Sequence, residues 1–267
     1  YTVQLGSLTV SAGEARFINA LGLGSLGNGG LINNALTRIE ITTGMTQTCN
    51  AVINGSGVLV KSGPGLLIVT GTVAGTQSVV VDGGVMTYLG AQPYTGSTTI
   101  SNGLLQVQGV LSSAVTVVSS GTLGGTGVVV GVVTQDGIIA PGAGIGTLTI
   151  SNQVTDGVTA VYRMELGGTN APTDYDQLVV GDVHTLQGTL EVVVTNGYVP
   201  ASGDRFTILT NSGLGGLLFG TFTTVSAPAL ASGLGWEVQY TGTESASLVV
   251  TGTVSGGLSA YEQWAQS

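Results

Sequence analysis

Short β-type phrases closed by glycine recur through residues 36–109, and they constrain the fold more than any other feature of this chain. Ile39-Glu-Ile-Thr-Thr-Gly44, Val79-Val-Val-Asp-Gly-Gly84 and Thr98-Thr-Ile-Ser-Asn-Gly103 each run through a β-type triplet and two small residues to a glycine. A second β phrase follows the glycine, as in Val85-Met-Thr-Tyr-Leu-Gly90 and Leu104-Leu-Gln-Val-Gln-Gly109. Glycine supplies the positive φ a tight turn needs, and the alternation suits a strand with one face in a core. Turns recur roughly every 16 to 20 residues, the spacing of solenoid coils rather than of two-residue hairpins. A coil cannot bury its own apolar face, so coils must stack and share one core.

Composition supports an all-β chain. The 267 residues are 42% hydrophobic and only 7% charged, which excludes disorder driven by charge and low hydrophobicity. The net charge is −9, and the five cations, Arg16, Arg38, Lys61, Arg163 and Arg205, are scattered. No basic patch can form, so neither a nucleic acid nor an anionic membrane surface is an expected partner. No apolar run approaches the ~18 residues of a membrane-spanning helix, so membrane insertion is not expected. Cys49 has no second cysteine to pair with and reads as a small buried side chain. The start at Tyr1, without a charged or apolar leader, is what an exported chain has after its signal peptide is removed.

Three segments are expected. Residues 1–155 form the solenoid body, whose coils, stacked at about 4.8 Å, make a rod near 35–40 Å long. Residues 156–253 form a β-rich C-terminal cap, and residues 254–267 a linker with the short segment Tyr261-Glu-Gln-Trp-Ala265. After Asp156 the strands lengthen and gather most of the aromatic residues. They read as an antiparallel sandwich-like unit, or as wider final coils, that covers the open edge of the stack.

Four passages carry a family resemblance: Asn50 to Gly71, Tyr94 to Val107, Gly121 to Gly127 with Ala140 to Thr149, and Asp174 to Val180 followed by Gly203 to Leu209. In this order they resemble the bacterial autotransporter-associated β-strand repeat proteins, including passenger-type β-helices. The resemblance implies a right-handed parallel β-helix on an exported or surface-exposed protein of adhesive or architectural use.

Catalytic groups are scarce. His184 is the single histidine, and a lone strand histidine reads as structural, so neither a Ser/His/Asp triad nor a zinc site can be assembled. A polysaccharide-degrading β-helix would need carboxylates paired across a groove, whereas Asp82, Asp136 and Asp156 sit in or beside glycine turns. Asp174 and Asp176 flank Tyr175 and, with Asp182 or Glu165, are the candidate Ca²⁺ ligands; no cofactor is otherwise expected. Thr147-Leu-Thr149 is one rung of an ice-binding type of ladder, but the matching positions elsewhere are irregular.

The chain is therefore expected to be a non-enzymatic, extracellular structural protein that self-assembles head-to-tail into fibres, a sheath or a surface layer. Its five lysines and arginines leave few sites for trypsin-like proteases. The N-terminal strand phrase, Tyr1, Thr2, Val3, Gln4 and Leu5 onward, is the expected assembly element, donated into a neighbouring copy. The alternative is a monomeric adhesin that grips a glycan or a host surface.

Overall fold

The structure is a computed structural model and describes residues 8–19, 30–213 and 217–252. Among these residues there is no helix; strands joined by turns and bends make up the whole. The strands fall into three sheets: a three-stranded one at the N-terminal end, a large curled one, and a seven-stranded one. Nearly all pairing is parallel, each strand bonding to one from the previous pass of the chain.

Registry can be followed straight up the stack. Thr37, Leu59, Val79, Thr98, Val115, Val133, Val154, His184 and Leu218 form one inward column. Leu67, Met86, Leu105, Leu123, Ile139, Tyr162 and Leu190 form another. Residues of both columns are almost fully buried, and the apolar ones belong to one continuous core. Side chains alternate across a strand, so the neighbours of these residues face outward and every pass reads inward–outward.

The antiparallel unit expected from residue 156 is corrected by this pairing. Parallel registry continues without a break through Val161↔Thr189, Leu178↔Leu209 and Glu191↔Ser226. Apart from the single bridges Gly125↔Gly142 and Leu166↔Tyr175, antiparallel pairing among the described residues is found at the end, where Ser245–Gly252 pairs with Arg205–Asn211 and with Leu234–Thr241. Alternation reports one-sided burial, which a strand in a one-sided parallel sheet shows as plainly as an antiparallel one. The later passes are longer because segments such as Gly167–Asp176 and Thr195–Asp204 loop out between strands. The closing hairpin covers one edge of the seven-stranded sheet, and there Phe206 packs against Tyr175, Tyr198 and Trp236, with ring centroids 5.4–6.3 Å apart. Residues 1–7, with the expected assembly strand, and the Tyr261–Ala265 segment lie outside the described residues.

One core position holds a lysine. Lys61 stands in an inward column between Ile39 and Val81 and is fully buried. Its ammonium donates to the carbonyls of Ser62 (3.2 Å), Gly63 (2.7 Å) and Gly83 (2.7 Å). Three donors meet three acceptors at a turn, so the charge is hydrogen-bonded although it is dry. Burial lowers its pKa from 10.5 to about 8.

Glycines at the turns are of two kinds. Gly125 has φ +110°, and a Cβ there would lie 2.0 Å from the Val107 carbonyl oxygen of the pass below. Gly144 has φ +97° but faces open space. Gly144→Ala is expected to cost about 1–2 kcal/mol from the backbone alone, and Gly125→Ala about 3 kcal/mol or more, because the stack must also open. Urea titration of the two variants checks this; equal losses would show that the passes do not approach each other this closely.

Candidate functional site

A groove of about 250 Å³ crosses the outer face of the curled sheet. Ala140 lines its floor, and Gly124, in register with it in the preceding strand, adds no side chain there. Leu104, Gln106 and Thr122 form one wall, Arg163 and Glu165 the other, and the Pro141–Gly144 turn closes one end. Arg163 and Glu165 point outward because Tyr162, Met164 and Leu166 take the inward positions of the same strand.

Each polar wall residue is held from below or beside. The Arg163 Nε donates to the Glu191 carboxylate at 2.9 Å, one strand further on in register. Thr87 donates to the Gln106 Oε1 at 3.2 Å, and among the described residues the Gln106 amide NH₂ makes no hydrogen bond. Asp176, 1% exposed, accepts from the backbone N–H of Gly146 (2.8 Å) and of Glu165 (2.8 Å), tying the turn to the wall. Burial is the main reason its pKa rises from 3.8 to about 7; the two N–H donors oppose the rise, and the nearby Glu165 charge adds to it. The groove thus presents a guanidinium, a carboxylate and an amide on a shallow, small-residue floor. That chemistry suits the hydroxyls of a polar ligand. Each Asp176 oxygen accepts one backbone donor.

The structure does not assemble the expected Ca²⁺ site. Asp174 is half-buried and accepts from the Asn170 side chain (2.7 Å) and from Thr173 (3.0 Å). Asp182 accepts from the N–H of Val183 (2.7 Å), while Asp176 is committed as above. Among the described residues no group of three or more His, Cys, Asp and Glu is placed to hold a metal ion.

His184 is part of a second, wholly buried cluster. Tyr162 Oη lies 2.7 and 2.8 Å from the two Asp156 carboxylate oxygens and 2.7 Å from His184 Nε2. Gln135 Nε2 (3.1 Å) and the Gln187 N–H (3.2 Å) also donate to Asp156. The phenol has one proton, which the carboxylate attracts, so the imidazole presents Nε2–H to the phenol oxygen; among the described residues Nδ1 has no partner. Burial and then the Asp156 charge raise the Tyr162 pKa well above 10. With His184 and Tyr162 at 0% exposure and Asp156 at 3%, no substrate reaches these groups, and the cluster pins successive passes together. Cys49 is likewise buried, which pushes its thiol pKa up.

Alternation in Val161-Tyr-Arg-Met-Glu-Leu166 already places Arg163 and Glu165 outward. The groove itself depends on Gly124 and Ala140 falling in neighbouring strands, and no local pattern announces that.

No family model matches the chain. It is 30% identical over 136 residues to a protein of Serratia marcescens described as an extracellular serine protease. The match covers 48% of this chain and 13% of that protein, so the chain corresponds to a small part of its relative's length.

Two outcomes test the site's electrostatics. A carboxyl with a raised pKa contributes stability that is complete below about pH 4 and is lost as pH rises through 7. Asp176→Asn is therefore expected to flatten the fall in stability between pH 4 and 7, measured by urea titration across pH. Tyr162→Phe removes the donor to a buried carboxylate and is expected to cost about 2 kcal/mol at neutral pH. A neutral effect would mean that the cluster is wet.

Proposed function

We propose that the chain is part of a right-handed parallel β-helix of the autotransporter passenger kind, located outside the cell or on its surface, and that its role is architectural. It joins copies of itself end to end into fibres, a sheath or a layer, without catalysis. The observation that carries this reading is the ladder. One outward column is ten strands deep, from Arg16 to Phe219, about 43 Å at ~4.8 Å per step. Among the described residues, Glu14–Ile18 and Thr224–Ser226 are each paired along one edge. Strand edges of this kind are templates for another chain. The stretch shared with an extracellular protein supports the location, and the proposed donated strand is Tyr1 to Leu5.

A second reading, an adhesin that holds a glycan, is favoured by the outward Arg163, Glu165 and Gln106 of the groove. Negative-stain electron microscopy over a range of concentrations separates the two. Filaments with an axial repeat near one rod length are expected, and they should be lost on deletion of residues 1–7. Isolated short rods at every concentration would contradict assembly.

A further inference from the structure

Five threonines stand in single file on the outer face of the curled sheet. Thr99 is in register with Thr116, Thr116 with Thr134, Thr134 with Thr155, and Thr155 with Thr185. In sequence they are separated by intervals that grow along the chain, so the file forms only when the passes stack; Thr149, of the rung read from the sequence, lies in the seven-stranded sheet between Val128 and Val179, and that ladder stays irregular. Thr116, Thr134 and Thr185 are exposed, and Thr99 and Thr155 half-buried. Gln153 donates to the Thr155 hydroxyl at 3.1 Å; among the described residues the other four hydroxyls make no hydrogen bond within the chain. The ladder begins above Val80 and ends at Phe219, so hydroxyls occupy an unbroken run about 19 Å long at the strand spacing.

The flanking column on one side is Ser97, Ala114, Val132, Gln153 and Val183. It carries no charge and no repeating pattern. Regularity is thus confined to one dimension, which suits a linear polymer rather than a crystal plane. An extended peptide advances about 3.3 Å per residue against about 4.8 Å per rung and falls out of step at once. A polyanion is disfavoured by a net charge of −9 and by a strip without a cation. An extended chain of equatorially linked pyranoses advances by close to one rung per sugar, is uncharged, and carries hydroxyls along its edge. Each threonine meets it with a donor, an acceptor and a methyl group.

The geometry points to the threonine file as a docking strip for a neutral, extended β-linked polysaccharide lying along the stack axis. It stands apart from end-to-end assembly, because a single rod carries the whole strip. It is also separate from the groove, which lies on the neighbouring column of strands.

The test is co-sedimentation of the full chain with microcrystalline cellulose and with chitin particles, alongside an ice-recrystallisation assay. The wild-type chain is expected to pellet with at least one polymer. Thr116→Val/Thr134→Val, which keeps shape and removes two hydroxyls, is expected to weaken binding about tenfold or more at an unchanged melting temperature. Thr116→Ser/Thr134→Ser should stay within about threefold of wild type. The assignment is overturned if neither polymer is retained, or if the valine variant binds as well as wild type. It is equally overturned if the chain inhibits ice recrystallisation and binds no polymer.

Discussion

Backbone pairing between one pass of the chain and the next is the constraint on which everything else in this protein depends. No pass has a core of its own; each strand is two to eleven residues long, and its inward side chains touch only the passes above and below and the strands across the stack. The hydrogen bonds therefore fix more than secondary structure. They set which residue stands on which, and a slip of one residue would turn every inward side chain outward. Val115, Val133 and Val154, or Leu105, Leu123 and Ile139, fill the core because registry superimposes them.

Registry also explains where polar groups are tolerated inside. Lys61 sits next to turns whose carbonyls point inward, and its three donors find three acceptors. Asp156 collects donors from Gln135, Tyr162 and Gln187, contributed by three strands or turns that only stacking brings together. Asp176 does the same for a turn and a strand at the edge of the groove. Such groups are costly when unpaired and specific when paired, so each of them fixes one arrangement of neighbouring passes against its alternatives. The Asp156 cluster lies where the passes begin to lengthen, and there the pinning matters most.

Local chemistry made much of the fold legible. Glycine turns, β-branched phrases and strict alternation are each readable in a window of ten residues, and they gave strands, turns and an all-β stack. Direction of pairing is not a local property. Val161-Tyr-Arg-Met-Glu-Leu166 looks the same whether its partner runs parallel or antiparallel, and only the Val161↔Thr189 register decides. The site follows the same rule. Outward placement of Arg163 and Glu165 was readable from alternation, whereas the groove floor at Ala140, beside Gly124, and the file of five threonines arise between strands far apart in sequence. The candidate Ca²⁺ trio failed for a related reason: Asp174, Asp176 and Asp182 are close in sequence, but each serves a different piece of backbone.

Hydrogen exchange of the native chain, read by mass spectrometry, tests the central claim that the parallel stack runs through residue 155 as one unit. Amides in Val161–Leu166 and Thr189–Val194 are predicted to be as strongly protected as those in Thr98–Val107 and Gly121–Gly125, with protection fading only toward the ends. Early exchange of residues 156–226 as a block, while residues 36–155 stay protected, would contradict the account and restore a separate C-terminal domain.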